Sequence, residues 1–320
     1  MPRHAPVEDG PSILVIGGPT ASGKSALAAD AAERLGGVVV NADSMQLYRD
    51  LPILTSWPDD ALRARAPHRL YGALDGAERC SAGRWRSLAL AEIERIHGDG
   101  ALPILVGGTG LYLRALLDGL APVPAIPEAV REAVRALYER EGSVGLHGRL
   151  AERDPEAAER LEPGDSQRVM RSYEVIEATG RSLLSWQAER HDRYTGRAAV
   201  LVLEPPRDAL YDACNTRFER MMAAGALDEA AHLLARGLNP ALPIMKAVGV
   251  RALLDHLSGV TELERAVALG RQATRRYAKR QTTWFRTQMP DQARMPDRYR
   301  PESKRESLAL VERLLLTGKG

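Results

Sequence analysis

Three short apolar runs in the first third of the chain end abruptly at glycine or at a polar residue. Residues 12–17 (SILVIG), 38–40 (VVV) and 102–106 (LPILV) are apolar at successive positions instead of alternating, as expected of strands covered on both faces of a parallel sheet. Between the first two, residues 24–35 carry apolar positions at helical spacing and stop at Gly36-Gly37, a helix C-terminal signal. This predicts a βαβ opening. A second helical stretch, with apolar positions at Leu88, Ala91 and Ile96, leads into the third strand, which stops at Gly107-Gly108. Three strands thus deliver residues to one edge of one sheet, where open α/β sheets place their ligands.

Prolines at 122, 124 and 127 then mark a linker, and beyond it residues 128–189 are polar, rich in Arg and Glu and largely helical in pattern. The run at 198–203 restores a strand and returns the chain to the first sheet, before helices from 207 onward. The expected organisation is a disordered tail at 1–11, the first part of a core at 12–122, a helical insertion at 123–197, and a return strand with C-terminal helices at 198–320.

Composition narrows the class. With 44% apolar and 27% charged residues over 320 positions, the chain is an ordinary globular α/β protein. Its two cysteines, Cys80 and Cys214, are too far apart for a zinc-ligand spacing or a secreted disulfide framework, so a reducing cytoplasm is expected. No segment has the length and apolarity of a signal peptide core or a membrane span. The net charge of +2 hides an asymmetry, because residues 271–305 hold eleven Lys and Arg against three Asp and Glu. Such a run is often a solvated face, and it is also what an RNA-binding surface requires.

The motif Gly18-Pro19-Thr20-Ala21-Ser22-Gly23-Lys24-Ser25 fits a P-loop and sits between a predicted strand and helix, as its mechanism demands. Backbone N–H groups curl around phosphate oxygens at the helix N-terminus, Lys24 adds positive charge, and Ser25 can ligate Mg²⁺. A plain βα turn would need neither Lys24 nor Ser25. The fold expected is therefore α/β, a P-loop NTPase-like parallel sheet core with a helical insertion domain. Asp43 follows the second strand and could be a general base, a helix N-cap or an outer-sphere Mg²⁺ ligand. Gly107-Gly108-Thr109-Gly110 stands where many P-loop hydrolases place an Asp for Mg²⁺, which weakens an ATPase reading; the loop suits a second diphosphate or substrate contact, or a tight turn. Arg271, Arg275, Arg276, Lys279 and Arg280 recur at helical spacing around Tyr277. His68 reads as structural.

In order, GPTASGKSALA (18–28), NADSMQLYR (41–49), PHRL (67–70), LVGGTGLYLRALLDGL (105–120) and KRQTTWFR (279–286) resemble the bacterial tRNA dimethylallyltransferases. The likeness covers almost the whole chain. It implies that dimethylallyl diphosphate occupies the P-loop and that the acceptor is the exocyclic N6 amine of the adenosine just 3′ of a tRNA anticodon. By the same resemblance Asp43 acts on the attacking amine, Thr109 contacts the reacting centre, and Arg217 helps hold the diphosphate. Asp43, Ser44, Met45, Gln46, Thr109, Arg131, Gln167, Arg168, Val169, Met170 and Arg171 match tRNA-contact regions, and Lys246-Ala247-Val248-Gly249-Val250-Arg251 matches a further family segment. Mg²⁺ is the expected cofactor, the anticodon stem-loop and the prenyl donor the partners, and a monomer the expected state. One departure is local: Leu54-Thr55-Ser56-Trp57-Pro58 stands where many members read GTAKP, so a family lysine is absent. The rival readings are a small-molecule P-loop kinase, a nucleotide-gated RNA-binding module, and a prenyltransferase for free adenine nucleotides.

Overall fold

The computed structural model describes residues 13–189 and 192–317; the tail expected at 1–11 lies outside them. Elements follow in the order β1 (Ile13–Gly17), α1 (Lys24–Leu35), β2 (Gly37–Asn41), α2 (Asp60–Arg65), β3 (His68–Arg69), α3 (Ala82–Gly98), β4 (Leu102–Gly107) and α4 (Gly110–Asp118). Then come α5 (Glu128–Arg153), α6 (Pro155–Glu159), α7 (Ser166–Thr179) and α8 (Leu183–Ala188). The chain closes with β5 (Ala198–Leu203), α9 (Arg207–Ala223), α10 (Ala226–Ala235), α11 (Val250–Leu257), α12 (Leu263–Gln288), β6 (Ala293–Met295) and α13 (Lys304–Thr317).

The strands form one parallel sheet in the order β3-β2-β4-β1-β5-β6. The fold class is thus α/β. Central β1 explains its sequence: Ile13, Leu14, Val15 and Ile16 are fully buried, each worth about 1.5–3 kcal/mol when removed from water. One face is covered by Leu27, Ala28, Ala31 and Ala32 of α1 together with Leu308, Val311 and Leu314 of α13. Edge strands β3 and β6 give no apolar run in the sequence, because they are two and three residues long and pair on one side only. His68, in β3, turns Nδ1 to the carbonyl of Ala66 at 2.8 Å and stacks edge-on with Tyr71.

Contacts divide the chain into two compact units, one of Met1–Leu117 with Thr195–Gly320 and the other of Asp118–Tyr194. The second unit has its own apolar core, in which Val134, Leu146 and Leu150 of α5 meet Val169 and Ile176 of α7. Its long α5 is broken at Gly142, whose φ of 69° and ψ of −176° only glycine adopts readily. In the first unit, α12 buries Ala266, Gly270, Thr274, Ala278, Gln281 and Phe285 at three-to-four spacing and leaves its Arg and Lys positions on the remaining faces.

Candidate active site

The loop between β1 and α1 is shaped by its glycines. Gly18 and Gly23 have φ of +143° and +91°, and a Cβ on Gly23 would lie 2.5 Å from the carbonyl oxygen of Tyr299. Ser22 N–H donates to the Pro19 carbonyl and Lys24 Nζ to the same oxygen at 3.1 Å, which holds the ammonium across the loop. Lys24 is buried, and burial, with the Arg217 guanidinium nearby, lowers its pKa to about 8 against the attraction of Asp43. Ser25 sits half-buried in the first turn of α1.

Two other loops face this one. After β2, Asn41 Oδ1 accepts from the Asp43 N–H at 2.8 Å, and Asn41 Nδ2 donates to the carbonyls of Asp43 and Leu70. Asp43 Oδ1 accepts from the Met45 N–H at 3.0 Å, so the carboxylate caps a turn rather than a helix. After β4, Thr109 Oγ1 accepts from the Ser44 N–H at 3.0 Å and donates to Ser44 Oγ at 3.3 Å, which ties the two loops together. The buried amide of Gln281, from α12, joins the third pair: Oε1 accepts from Thr20 N–H at 2.8 Å and Nε2 donates to the Gly108 carbonyl at 2.9 Å. A Cβ on Gly108 would come within 2.1 Å of that Nε2, so any larger residue there must displace the amide.

Between these loops lies a cavity of about 180 Å³, lined by Thr20, Asp43, Ser44, Arg217 and, from α12, Thr274, Tyr277 and Arg280. Arg217 reaches in from α9; its Nη2 donates to the Thr55 carbonyl at 3.3 Å, while its buried Nε has no partner. Burial lowers its pKa, and Asp43 partly restores it. Lys24, buried, and Arg217, half-buried with an orphaned guanidinium N–H, both feel the charge of the Asp43 carboxylate, an arrangement suited to an anion. The Tyr277 phenol, beside Thr109, is held protonated by burial and by the Asp43 charge.

The wall at residues 51–57 is held from behind. Glu229, buried on α10, accepts from the N–H groups of Ile53 and Leu54 at 2.8 and 2.7 Å, and the burial raises its pKa. Gln46 Nε2 donates to the carbonyls of Thr55 and Ser56. The departure from the family pattern falls on this wall: Ser56 has φ of +51°, and Trp57 packs edge-on to Tyr71 and over Gly72.

In the second unit, Arg131 on α5 and Gln167, Arg168, Val169, Met170 and Arg171 on α7 lie on the paired helices of that unit. Arg168 and Arg171 are exposed enough to reach a ligand while pairing with Asp165 and Glu174. Val169 is fully buried in the local core and presents no side chain, while Met170 is half-buried against that core. Glu229 and Thr274 lie outside the quoted motifs, and the KRQTTWFR motif includes Gln281 without showing what its amide bonds. The spacing of 270, 274, 278 and 281 carried the signal, since polar Thr274 and Gln281 occupy the buried stripe of α12.

Residues 46–288 match the IPP transferase family. The tRNA dimethylallyltransferase of Rhodospirillum centenum is 57% identical over 297 residues, covering 90% of this chain and 91% of that protein. That of Parvibaculum lavamentivorans is 48% identical, covering 95% and 97%. Among solved structures, the tRNA isopentenylpyrophosphate transferase of Bacillus halodurans superposes with a TM-score of 0.70 at 33% identity, covering 96% of this chain and 97% of that one. A eukaryotic dimethylallyltransferase acting on tRNA gives 0.80 at 26% identity, with 95% and 78% covered. With that family match covering residues 46–288 and relatives this similar over nine-tenths of its length, the chain belongs to the IPP transferase family.

Proposed function

We propose that this enzyme transfers a dimethylallyl group from dimethylallyl diphosphate to the N6 amine of the adenosine 3′ to the anticodon in tRNA, releasing diphosphate. The observation that carries the reading is the meeting of a phosphate cradle and a carboxylate: Arg217 and Asp43 line one cavity, Lys24 is near enough to feel both, and Thr109 bonds Ser44 of the cavity wall. The family match and the small-residue loop that stands after β4 in place of a Mg²⁺-binding acid weigh against a kinase.

The donor diphosphate lies in the loop 18–25, where amides, Lys24 and the free Nε–H of Arg217 meet its oxygens. As the allylic carbon–oxygen bond breaks, negative charge grows on the diphosphate, and these groups, already in place and desolvated, stabilise it. The amine nitrogen forms the new carbon–nitrogen bond, and the proton it sheds passes to the Asp43 carboxylate. Thr109 positions the reacting centre, and Tyr277 closes the wall against water. An exocyclic adenine amine is a weak nucleophile, so alignment supplies much of the rate. The target base must leave its stack to reach the cavity, a step that the helical second unit and the exposed Arg276, Lys279 and Arg280 of α12 serve by gripping the RNA backbone.

Oxygen donors suited to Mg²⁺ are present in the Ser25 hydroxyl and, through water, the Asp43 carboxylate. Among the described residues no three His, Cys, Asp or Glu side chains cluster to form a metal cage, so the remaining positions fall to diphosphate and water. The ion would neutralise charge on the leaving group. No helix among the described residues is long and apolar enough to cross a membrane, and we place the enzyme in the cytoplasm as a monomer.

The test supplies Mg²⁺, radiolabelled dimethylallyl diphosphate and three acceptors: an anticodon stem-loop with adenosine at the 3′ position, the same stem-loop with guanosine there, and AMP. Label only in the adenosine stem-loop is expected. Label only in AMP contradicts the tRNA reading, and donor-independent ATP turnover contradicts the transferase reading.

A further inference from the structure

Lys24 and Arg217 are not the only cations gathered at the P-loop. Arg298, just past β6, donates from Nε to the carbonyl of Ala21 at 3.0 Å, and Ala21 packs against Cys214, Leu210 and Ala278. Beside Cys214, the side-chain oxygen of Asn215 accepts from Arg275 Nη1 at 2.5 Å. Lys24, Arg217, Arg275 and Arg298 therefore converge on one buried thiol. Burial raises the pKa of that thiol, so Cys214 stays neutral and supplies no counter-charge. Arg220 and Arg300 lie close enough to Arg298 to oppose its charge. Glu219 is committed to Arg271 and Glu204 to Arg286 and Arg294, while Asp297 and Glu302, adjacent in sequence, are exposed and form no ion pair with any described residue. Among the described residues no carboxylate pairs with Arg220, Arg275, Arg298 or Arg300.

Arg275 and Arg298 are half-buried with only neutral partners, which is costly unless an anion visits them, and Arg220 and Arg300 are exposed beside them. Their place decides which anion. Neither Arg275 nor Arg298 lines the cavity that holds Asp43 and Tyr277. Both instead border the loop that cradles phosphate, by way of Ala21 and Cys214. The cluster thus continues the phosphate end of the site and not the acceptor end.

We propose that Arg275 and Arg298, with Arg220 and Arg300 at the rim, form a second anion site beside the P-loop that takes the diphosphate group, as donor on its way in or as product on its way out. This rests on the prenyl-transfer reading for its biological role, but diphosphate binding is tested without it. The cluster acts by raising the local concentration of a polyanion, so its signature is a rate constant that depends on salt.

Inorganic diphosphate is titrated calorimetrically into the full chain at low and moderate salt, for wild type, Arg275→Gln, Arg298→Gln and Arg220→Gln. Steady-state kinetics for donor and stem-loop are then measured on the same proteins. Arg275→Gln and Arg298→Gln are expected to weaken diphosphate binding and to lower kcat/KM for the donor about tenfold, with a flatter salt dependence and unchanged KM for RNA. Arg220→Gln does not touch the P-loop, and a smaller effect of the same kind guards against loop damage in Arg298→Gln. Loss of kcat/KM for the donor alone assigns the site to arrival, and weaker product inhibition alone assigns it to departure. A change confined to the KM for RNA overturns the proposal in favour of a phosphodiester contact, and unchanged diphosphate binding overturns it in favour of a solvated face. If wild type transfers no prenyl group, the proposed function fails while the titration still decides this site.

Discussion

Burial holds the Lys24 ammonium at a pKa of about 8 in the ligand-free protein, against an ordinary 10.5. Between those values the unfolded chain keeps a proton that the folded chain has released, so stability rises with pH across that window and sits on its lower plateau below pH 8. The effect is roughly 3 kcal/mol at most. Denaturant titrations at several pH values should show this rise in wild type and its absence in Lys24→Met. Activity runs the other way: kcat/KM for the donor, which reports the free enzyme, should fall as pH rises above about 8, because the neutral amine no longer attracts diphosphate. Both signs follow from one buried cation awaiting an anion.

At the scale of elements, α12 is the tie between loops that come from different strands. Its Gln281 bonds the backbone of the P-loop and of the loop after β4 at once. Gln281→Leu leaves both groups without a partner and is expected to cost about 2 kcal/mol in denaturant unfolding, with a larger loss in kcat than in KM because the two loops no longer hold register. Glu229 does the same for the wall at 51–57, and Glu229→Ala should raise KM for the donor by freeing Thr55 from Arg217, read in steady-state kinetics. Much of this architecture is legible in the sequence. The bounds of α1 and β5 follow from apolar runs ending at glycine or a charged residue, and the loop 18–25 from its own residues. Strands β3 and β6 are not legible, since two or three edge residues carry no periodicity. Nor is the role of Gln281 or Glu229, because one amide or carboxylate within a helix gives no sign of which distant backbone it will meet. Asp43 is legible as a candidate base from its place after a strand and its NADS motif; its turn with Met45 and its nearness to Lys24 and Arg217 are tertiary facts.

Over the whole molecule, the loop 18–25 and Asp43, the proposed phosphate site and base, belong to one compact unit, while Asp118–Tyr194 has a core of its own. Replacing that insertion by a short Gly/Ser linker should leave diphosphate binding intact, measured by calorimetry, and weaken stem-loop binding at least tenfold by fluorescence anisotropy. The central claim, however, concerns Asp43. The most direct measurement is single-turnover transfer from labelled dimethylallyl diphosphate to an anticodon stem-loop by wild type and Asp43→Asn, with the modified atom mapped by mass spectrometry. The account predicts label on N6 of the adenosine 3′ to the anticodon, and a loss of about 10²–10⁴-fold in rate for Asp43→Asn with diphosphate binding retained. Transfer at the wild-type rate by Asp43→Asn, or label on any other atom, would contradict it.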